Sequence, residues 1–171
     1  MTTSAENTAA RGGEAGPSHP VQYLTFTLGS EVYALEIAKV REVLDFPTVT
    51  PVPRMPDFLR GVIDLRGSVV PVVDLRIKFG MPMTEKNVDS CVIITEVTVD
   101  GDRTVLGALA DSVREVIELE PGSMAPAPKI GTALRSEFIT GIGMQDAGFV
   151  TVLDIERVFG HAEPAAAAAE A

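Results

Sequence analysis

The chain has 171 residues and a net charge of −10, and hydrophobic residues make up 46% of it but aromatic residues only 5%. This length allows one domain or two small subdomains with a core mainly of Val, Leu and Ile. The negative charge argues against binding to nucleic acid or to anionic membrane surfaces, because both recruit Lys and Arg. No stretch reaches the roughly 20 apolar residues that a membrane-spanning helix needs, so no direct insertion into a membrane is expected.

The two ends of the chain are predicted to be tails. Residues 1–20 are rich in Ala, Gly, Thr and Ser and cannot bury enough apolar surface to fold, so we expect them to be disordered. They also lack the basic start and apolar core of a secretory signal, which predicts a cytoplasmic protein. Residues 161–171 are Ala-rich and too short to hold a helix alone. The folded domain is therefore expected over residues 21–160, in approximate halves 21–85 and 86–160.

The folded part opens with a predicted hairpin. Residues 21–28 alternate between apolar and polar side chains, and a turn at residues 29–31 leads into a second apolar run at 32–35. Alternation with a period of two is typical of a strand with one buried face.

The segment after this hairpin is ambiguous. Its apolar residues Ile37, Val40 and Leu44 fit one face of a helix, but Val40, Glu42 and Leu44 also fit one face of a strand. We favour a short turn at 37–39 followed by a strand. Val40 and Glu42 would then point to the same side, with Glu42 facing solvent.

A second predicted hairpin lies at the centre of the first half. Four prolines between residues 47 and 56 predict an irregular loop, followed by a short helix over 57–59. Two apolar runs, 62–65 and 69–73, then flank a glycine-containing turn. Asp74 is expected to begin a short helical turn that ends at Gly80.

The second half has the same kind of pattern. Strands are predicted at 91–99 and 103–110, joined by an Asp-Gly turn, and again at 113–119. A Pro/Gly loop, a short helix near Phe138, a hairpin over 141–153 and a closing helical turn follow. Many short strands without a long amphipathic helix indicate an all-β barrel or sandwich.

Parts of the two halves match each other in sequence. The matching pairs of segments are 40–44 with 113–117, 58–62 with 138–142, and 70–80 with 150–160. The first pair is offset by 73 positions and the other two by 80, and all three occur in the same order. The repeat predicts two similar β units, each too small for a large core of its own, packed together.

The sequence contains no evident catalytic set or cofactor motif. The only histidines, His19 and His161, lie in or beside the tails, so neither serves as a base or metal ligand in the fold. The single cysteine, Cys91, lies in an apolar run and is interpreted as a buried structural thiol. We therefore expect no metal site and no cofactor.

Three aspartates remain as candidate acids. Asp74 and Asp154 occupy equivalent positions of the repeat at the start of short helices, which is typical of helix N-caps. A small β-barrel enzyme that uses Asp64 and Asp74 stays open as an alternative to a binding protein.

Residues 61–67 read Gly-Val-Ile-Asp-Leu-Arg-Gly, and the run from Val70 continues Val-Pro-Val-Val-Asp-Leu-Arg and ends in Phe79-Gly80. This motif strongly resembles the CheW family of chemotaxis coupling proteins, and the resemblance extends over roughly residues 20–160. It implies an all-β fold of two SH3-like five-stranded barrels that share a hydrophobic core, with short helices. The family usually has Asn at position 64, whereas this chain has Asp64, whose ionised carboxylate accepts hydrogen bonds but does not donate them.

The resemblance also implies a function. The protein would be a non-enzymatic adaptor, monomeric in isolation, that couples chemoreceptors to the histidine kinase of a two-component system in arrays at the inner membrane. One barrel would pair with a like barrel in the regulatory domain of the kinase, and the helical-hairpin tip of a receptor would lie in an apolar groove between the barrels. By family position, the candidate receptor and array contacts are Val40, Glu42, Arg66 and Val116. An adaptor for another pathway, such as surface motility, is the alternative within this family.

Overall fold

The computed structural model describes residues 19–83, 85–126, 136–145 and 148–160. Its strands are β1 (Val21–Leu28), β2 (Glu31–Glu36), β3 (Val40–Asp45), β4 (Leu59–Leu65), β5 (Ser68–Asp74), β6 (Cys91–Val99), β7 (Asp102–Ala110), β8 (Ser112–Leu119), β9 (Ile139–Gln145) and β10 (Gly148–Leu153). Its α-helices are α1 (Leu75–Lys78) and α2 (Ile155–Gly160), and 3-10 turns span Ile37–Lys39, Pro121–Ser123 and Ser136–Phe138. None of the helices in these ranges is long and apolar enough to span a membrane. The predicted all-β class is confirmed.

Two of the predicted hairpin turns have the geometry that their sequences favour. Arg66 and Gly67, between β4 and β5, have φ values of 52° and 91°, and Asp100 and Gly101, between β6 and β7, have 53° and 85°. Positive φ at both central residues characterises the type I′ turn, whose twist matches that of the strands on either side.

The short helix predicted over residues 57–59 is wrong. This segment is a turn, in which the Leu59 N–H donates to the Pro56 carbonyl at 3.0 Å, and β4 already begins at Leu59. Leu59 lies opposite Val73 in the β4–β5 ladder, so strand pairing replaces the helix that Pro56 would otherwise begin.

The strands form two five-stranded sheets, which we call sheet A and sheet B. The order is β8-β1-β2-β10-β9 in sheet A and β3-β6-β7-β5-β4 in sheet B. The opening hairpin of each half therefore lies in one sheet with the last three strands of the other half. The two sheets are not the halves 21–85 and 86–160, because each sheet takes strands from both.

Three apolar clusters stabilise this arrangement. One contains residues of sheet A and its adjoining loop, including Tyr23, Ile117 and Val152, and a second contains residues of sheet B, including Val72 and Ile94. The largest cluster draws on both sheets and on both α-helices. Its fully buried members include Phe26, Leu28, Leu35, Leu75, Ile93 and Val158. This cluster is the predicted shared core, and it joins the two units into one body.

Each sheet is partly closed by a bridge from a loop. Thr50 pairs with Val62 of β4 through two backbone hydrogen bonds of 2.9 Å, and Ala125 pairs with Ile142 of β9 through bonds of 2.8 and 2.9 Å. Position 61, next to the first bridge, is the glycine that the repeat matches with Gly141. The bridges cover part of the exposed edges of β4 and β9, which would otherwise present unpaired backbone groups.

Candidate functional site

Val40 and Glu42 begin the edge strand β3, but they do not point to the same side of sheet B. A bulge between them sets Val40 opposite Thr95 and Glu42 opposite Ile94, and these two partners are neighbours on β6. Successive side chains on a strand point to opposite faces, so the bulge directs Val40 and Glu42 to opposite faces as well. The expectation of a common side was wrong because the sequence pattern of a strand does not reveal a bulge.

The bulge gives Val40 and Glu42 different surroundings. Val40 is half-buried and packs against the shared core. Glu42 reaches the β4–β5 turn, where its carboxylate forms an ion pair with Arg66 through both terminal guanidinium nitrogens. This contact lowers the pKa of Glu42 and raises the pKa of Arg66. The structure thus brings together two of the four predicted contact residues at an exposed corner of sheet B.

Val116, the fourth predicted residue, lies on the edge strand of the other sheet. It belongs to β8, lies opposite Leu24 of β1 and is 48% exposed. Val43 of β3 matches it in the repeat, lies opposite Ile93 and is 41% exposed. Each sheet therefore presents one half-exposed valine at an equivalent edge position. The offset of 73 between segments 40–44 and 113–117 was the signal that could have identified Val43.

The most exposed apolar pair in the described strands was not predicted from the sequence. Met144 and Phe149 lie directly opposite each other near the end of the β9–β10 hairpin, and they are 67% and 68% exposed. The repeat offset of 80 matches this pair with Asp64 and Val69 in the β4–β5 hairpin. The two equivalent hairpins therefore present different chemistry: both members of the β9–β10 pair are apolar, whereas in β4–β5 the exposed Val69 lies opposite the charged Asp64, next to Arg66.

An apolar cavity of about 370 Å³ lies beside the shared core. Its walls come from β4, β5, β6, β7 and the loops beside them, together with Lys78 of α1 and Phe159 of α2. The residues that line it are Met55, Pro56, Phe58, Leu59, Pro71, Val73, Lys78, Val99, Asp100, Asp102, Thr104, Leu106 and Phe159. The ammonium group of Lys78 lies 4.4 Å from the centre of the Phe58 ring. None of the four predicted contact residues lines this cavity.

The three candidate acids all have structural roles. Asp74 is fully buried, caps α1 by accepting from the Arg76 N–H at 3.1 Å, and forms an ion pair with Arg60 at 3.1 Å. Asp154 caps α2 by accepting from the Arg157 N–H at 3.2 Å. The prediction that Asp74 and Asp154 are helix N-caps is confirmed.

Asp64 shapes the turn that carries Arg66. Its carboxylate accepts from the Gly67 N–H at 2.9 Å. An Asn side chain offers the same acceptor oxygen, so this turn does not depend on which of the two residues stands at position 64. Among the described residues, no group of three or more His, Cys, Asp or Glu side chains is placed to hold a metal ion.

Cys91 is buried in the shared core at the start of β6. Burial raises the pKa of its thiol to about 11, with a smaller contribution from Asp45, Asp111 and Asp89. Because the reactive species is the thiolate, the fold keeps this cysteine unreactive at neutral pH.

Comparisons with known proteins agree on one family. The model of the CheW-like domain matches residues 22–163. The chemotaxis protein CheW of Klebsiella aerogenes is 35% identical, and the match covers 88% of this chain and 89% of that protein. A probable chemotaxis protein CheW of Rhizobium etli is 29% identical, and the match covers 85% of this chain and 92% of that protein. The scaffolding protein TtCheW of Thermoanaerobacter tengcongensis has a solved structure that matches with a TM-score of 0.73 and 33% identity, over 82% of this chain and 88% of its own. The two sheets with their shared core are accordingly two SH3-like subdomains, and the chain belongs to the CheW family.

Proposed function

We propose that this protein is a chemotaxis scaffold that couples chemoreceptors to the chemotaxis histidine kinase and carries out no catalysis itself. The similar proteins are chemotaxis proteins named CheW, and the similar solved structure is of a scaffolding protein. The observation that carries the proposal is the contrast between two equivalent hairpins: β9–β10 exposes an apolar pair, whereas β4–β5 exposes charged side chains beside Val69. Two like barrels with unlike exposed surfaces suit a protein that holds different partners at the same time.

The kinase contact is assigned to the Met144–Phe149 pair of sheet A. Members of this family are expected to pair one barrel with a like barrel in the regulatory domain of the kinase. Exposed aromatic and Met side chains are enriched at protein interfaces, where they bury a large area at a small cost in conformational entropy. Covering two side chains that are each about two-thirds exposed would supply the apolar centre of such a contact.

The receptor contact is assigned to the apolar cavity between sheet B and α2. A helical hairpin presents apolar side chains at intervals of three and four residues, and a groove with apolar walls and a charged rim fits such a partner. Pro71, Leu106 and Phe159 supply apolar walls, while Lys78 and Asp100 supply charges of both signs beside them.

The Glu42–Arg66 corner and the exposed Val116 are assigned to further contacts within the array. Arg66 has a planar guanidinium group at the tip of a turn, and its side chain is 68% exposed. Such a group can exchange its internal carboxylate for one on a partner at little cost, because exposed ion pairs contribute little to stability. Val40 contributes by supporting the start of β3 from the core side.

Each pairwise contact of this adaptor is expected to be modest in affinity. Linking several contacts raises the effective concentration of each next one, so assembly at the inner membrane would depend on multivalency. We propose that the protein is cytoplasmic, monomeric on its own, and recruited to arrays by the receptors.

A binding experiment with the full chain tests this function. The chain is titrated separately with the regulatory domain of the chemotaxis kinase and with a cytoplasmic fragment of a chemoreceptor from the same organism. Phe149→Asp should weaken kinase binding at least about tenfold and spare receptor binding, since it places a charge at the centre of an apolar contact. Met55→Glu, at the cavity, should show the reverse pattern.

Matched controls come from exposed apolar residues outside both surfaces. Val88→Asp and Met83→Glu alter side chains that are 97% and 54% exposed, and neither residue lines the cavity or lies on the β9–β10 hairpin. Both control variants should bind like the unaltered chain. An unaltered chain that binds neither partner would refute the proposed function, and equal effects of the control and test variants would refute the assigned surfaces.

A further inference from the structure

A further cavity, of about 300 Å³, lies between sheet A and the start of α2, and we call it the polar pocket. The polar side chains that line it are those of Tyr23, Glu36, Lys39, Thr140, Asp154 and Glu156. It shares no lining residue with the apolar cavity and includes none of the assigned contact residues. Neither the proposed kinase contact nor the proposed receptor contact uses this pocket.

Three polar groups of the pocket form no hydrogen bond to any described residue. They are the Tyr23 hydroxyl, the Glu36 carboxylate and the Thr140 hydroxyl. Tyr23 is only 2% exposed and lies directly opposite Glu36 in the β1–β2 ladder, so the two side chains share one face of sheet A. Burial and the nearby Glu36 carboxylate raise the pKa of Tyr23. Because a buried hydroxyl ordinarily has a partner, this arrangement is typical of a site that a ligand completes.

The pocket has an excess of negative charge. Its ammonium group, on Lys39, lies 2.9 Å from Glu156 and is neutralised there. Glu36 has no ion pair among the described residues, and Asp154 pairs at 3.4 Å with Arg157, whose side chain is 61% exposed. Exposed ion pairs of this kind contribute little and exchange easily. Since no described acidic side chains are grouped to hold a metal ion, the charge suits an organic cation.

The repeat shows what occupies the equivalent place in sheet B. At the offset of 80, Thr140 corresponds to Arg60 and Asp154 to Asp74. Arg60 and Thr140 are each the extra residue where the ladder shifts register, in β4 and in β9. Arg60 Nη1 donates to Asp74 Oδ2 at 3.1 Å. Thr140 carries no guanidinium, so Asp154 lacks the cation that its counterpart receives from the neighbouring strand.

The opposite wall of the pocket also differs between the sheets. The hairpin β6–β7 takes the place in sheet B that β1–β2 takes in sheet A. By this correspondence the pair Tyr23–Glu36 matches Val92–Leu109, which is fully buried. Packing of such a barrel therefore does not require polar residues here. Sheet B fills the place with apolar side chains and an internal guanidinium, whereas sheet A leaves a hydroxyl, a carboxylate and open space.

We propose that the polar pocket binds a guanidinium group, which takes the place in sheet A that Arg60 occupies in sheet B. The planar group offers several N–H donors, which suit the carboxylates of Glu36 and Asp154 and the oxygens of Tyr23 and Thr140. Charge-assisted hydrogen bonds to carboxylates are the strong ones in such a site. This binding site is independent of the proposed function.

An NMR titration of the full chain with ethylguanidinium chloride tests the site. Millimolar concentrations suffice, far below the molar range in which guanidinium salts unfold proteins. The amide resonances of Glu36, Thr140 and Asp154 should shift, with a Kd of about 1 mM or lower, as a ligand of this size can reach. N-ethylurea has the same shape without the charge, and tetramethylammonium has the charge without N–H donors. Each should bind at least about tenfold more weakly.

Variants at the rim and floor of the pocket assign the contacts. Glu36→Gln should weaken ethylguanidinium binding at least about tenfold, and Tyr23→Phe, which keeps the ring, at least about threefold. Thr140→Arg should abolish binding, because it supplies the guanidinium from the chain itself as Arg60 does in sheet B. Glu118→Gln is the matched control, since Glu118 is an exposed glutamate of β8 outside the pocket. This control should bind like the unaltered chain.

The guanidinium group can belong to a free small cation or to an arginine side chain of a protein partner, and competition separates these sources. The loaded chain is titrated with the receptor fragment and with the kinase regulatory domain. Release of ethylguanidinium by either protein assigns the group to an arginine of that partner. Retention in both titrations, together with binding of agmatine, assigns it to a free small cation.

Several outcomes would overturn the proposal. They are the absence of any shift with ethylguanidinium, equally tight binding of N-ethylurea, or binding that persists in Glu36→Gln and Thr140→Arg. An equal loss in Glu118→Gln would show a general attraction of cations to an acidic chain and would also overturn it. Because the first titration needs no partner protein, failure of this site and failure of the proposed function are distinguishable.

Discussion

Gly61 lies so close to Thr50 that a Cβ atom at position 61 would overlap the Thr50 carbonyl oxygen. The same carbonyl accepts the Val62 N–H at 2.9 Å, so the bridge that closes this side of sheet B brings the two backbones together. The φ of Gly61 is 144°, a region that residues with a side chain rarely adopt. The glycine in this segment of the repeat is therefore required by backbone contact.

Gly61→Ala should destabilise the protein by roughly 3 kcal/mol or more, because both the overlap and the positive φ oppose it. The measurement is equilibrium unfolding in urea. Gly122→Ala is the control, since a Cβ at that position would meet open space. A loss of under about 1 kcal/mol for Gly61→Ala would mean that the loop at Thr50 can move away.

Asp74→Asn should destabilise the protein more than Asp154→Asn. Asp74 is fully buried and paired with Arg60, whereas Asp154 is partly exposed at the start of α2. Neutralising one partner of a buried ion pair costs about 3 kcal/mol. Asn caps a helix about as well as Asp, so Asp154→Asn loses only an exposed ion pair with Arg157 and should cost about 0.5 kcal/mol or less. Thermal and urea unfolding of both variants would measure the difference, and equal losses would show that burial of the Arg60 pair adds nothing.

Arg66→Ala should weaken binding to array partners and lower the melting temperature by no more than about 3 °C, because exposed ion pairs contribute little to stability. Glu42→Gln should likewise leave the melting temperature nearly unchanged. Calorimetric scans and partner titrations measure the two effects separately. A large fall in melting temperature with unchanged partner binding would make the Glu42–Arg66 pair a structural contact.

The stability contributed by Glu156 should depend on pH. Its hydrogen bond from Lys39 lowers the pKa of Glu156 below the ordinary value of 4.5. The ionised form is thus favoured in the folded state, so its contribution is present above the unfolded pKa and is lost as pH falls through the folded one.

Glu156→Gln should therefore be less stable than the unaltered chain at pH 7, by about 1 kcal/mol or less given the partial exposure of the pair. The difference should shrink between about pH 5 and pH 3. Urea unfolding of both proteins at several pH values measures it. A difference that stays constant over this range would point to packing of the side chain rather than to its charge.

Only part of the candidate site could be predicted from the sequence. The family resemblance led to Glu42 and Arg66, and the structure brings these two side chains together at the β4–β5 turn. The motif did not identify Met144 and Phe149, because an apolar residue in a strand pattern is ordinarily read as core. Only their position at the end of a hairpin, beyond the packed part of sheet A, leaves them exposed.

The sequence alone determined the local features of this protein: the hairpins, their turns, the N-caps at Asp74 and Asp154, and the repeat. These depend on φ preferences, alternation and capping, which involve residues near one another in the chain. Only the tertiary structure decided that each opening hairpin pairs with strands of the other half, that β3 carries a bulge, and that Lys39 meets Glu156. The two halves have similar patterns, so either hairpin matches either set of strands locally. The choice between them depends on how the shared core packs, which no segment of the sequence determines by itself.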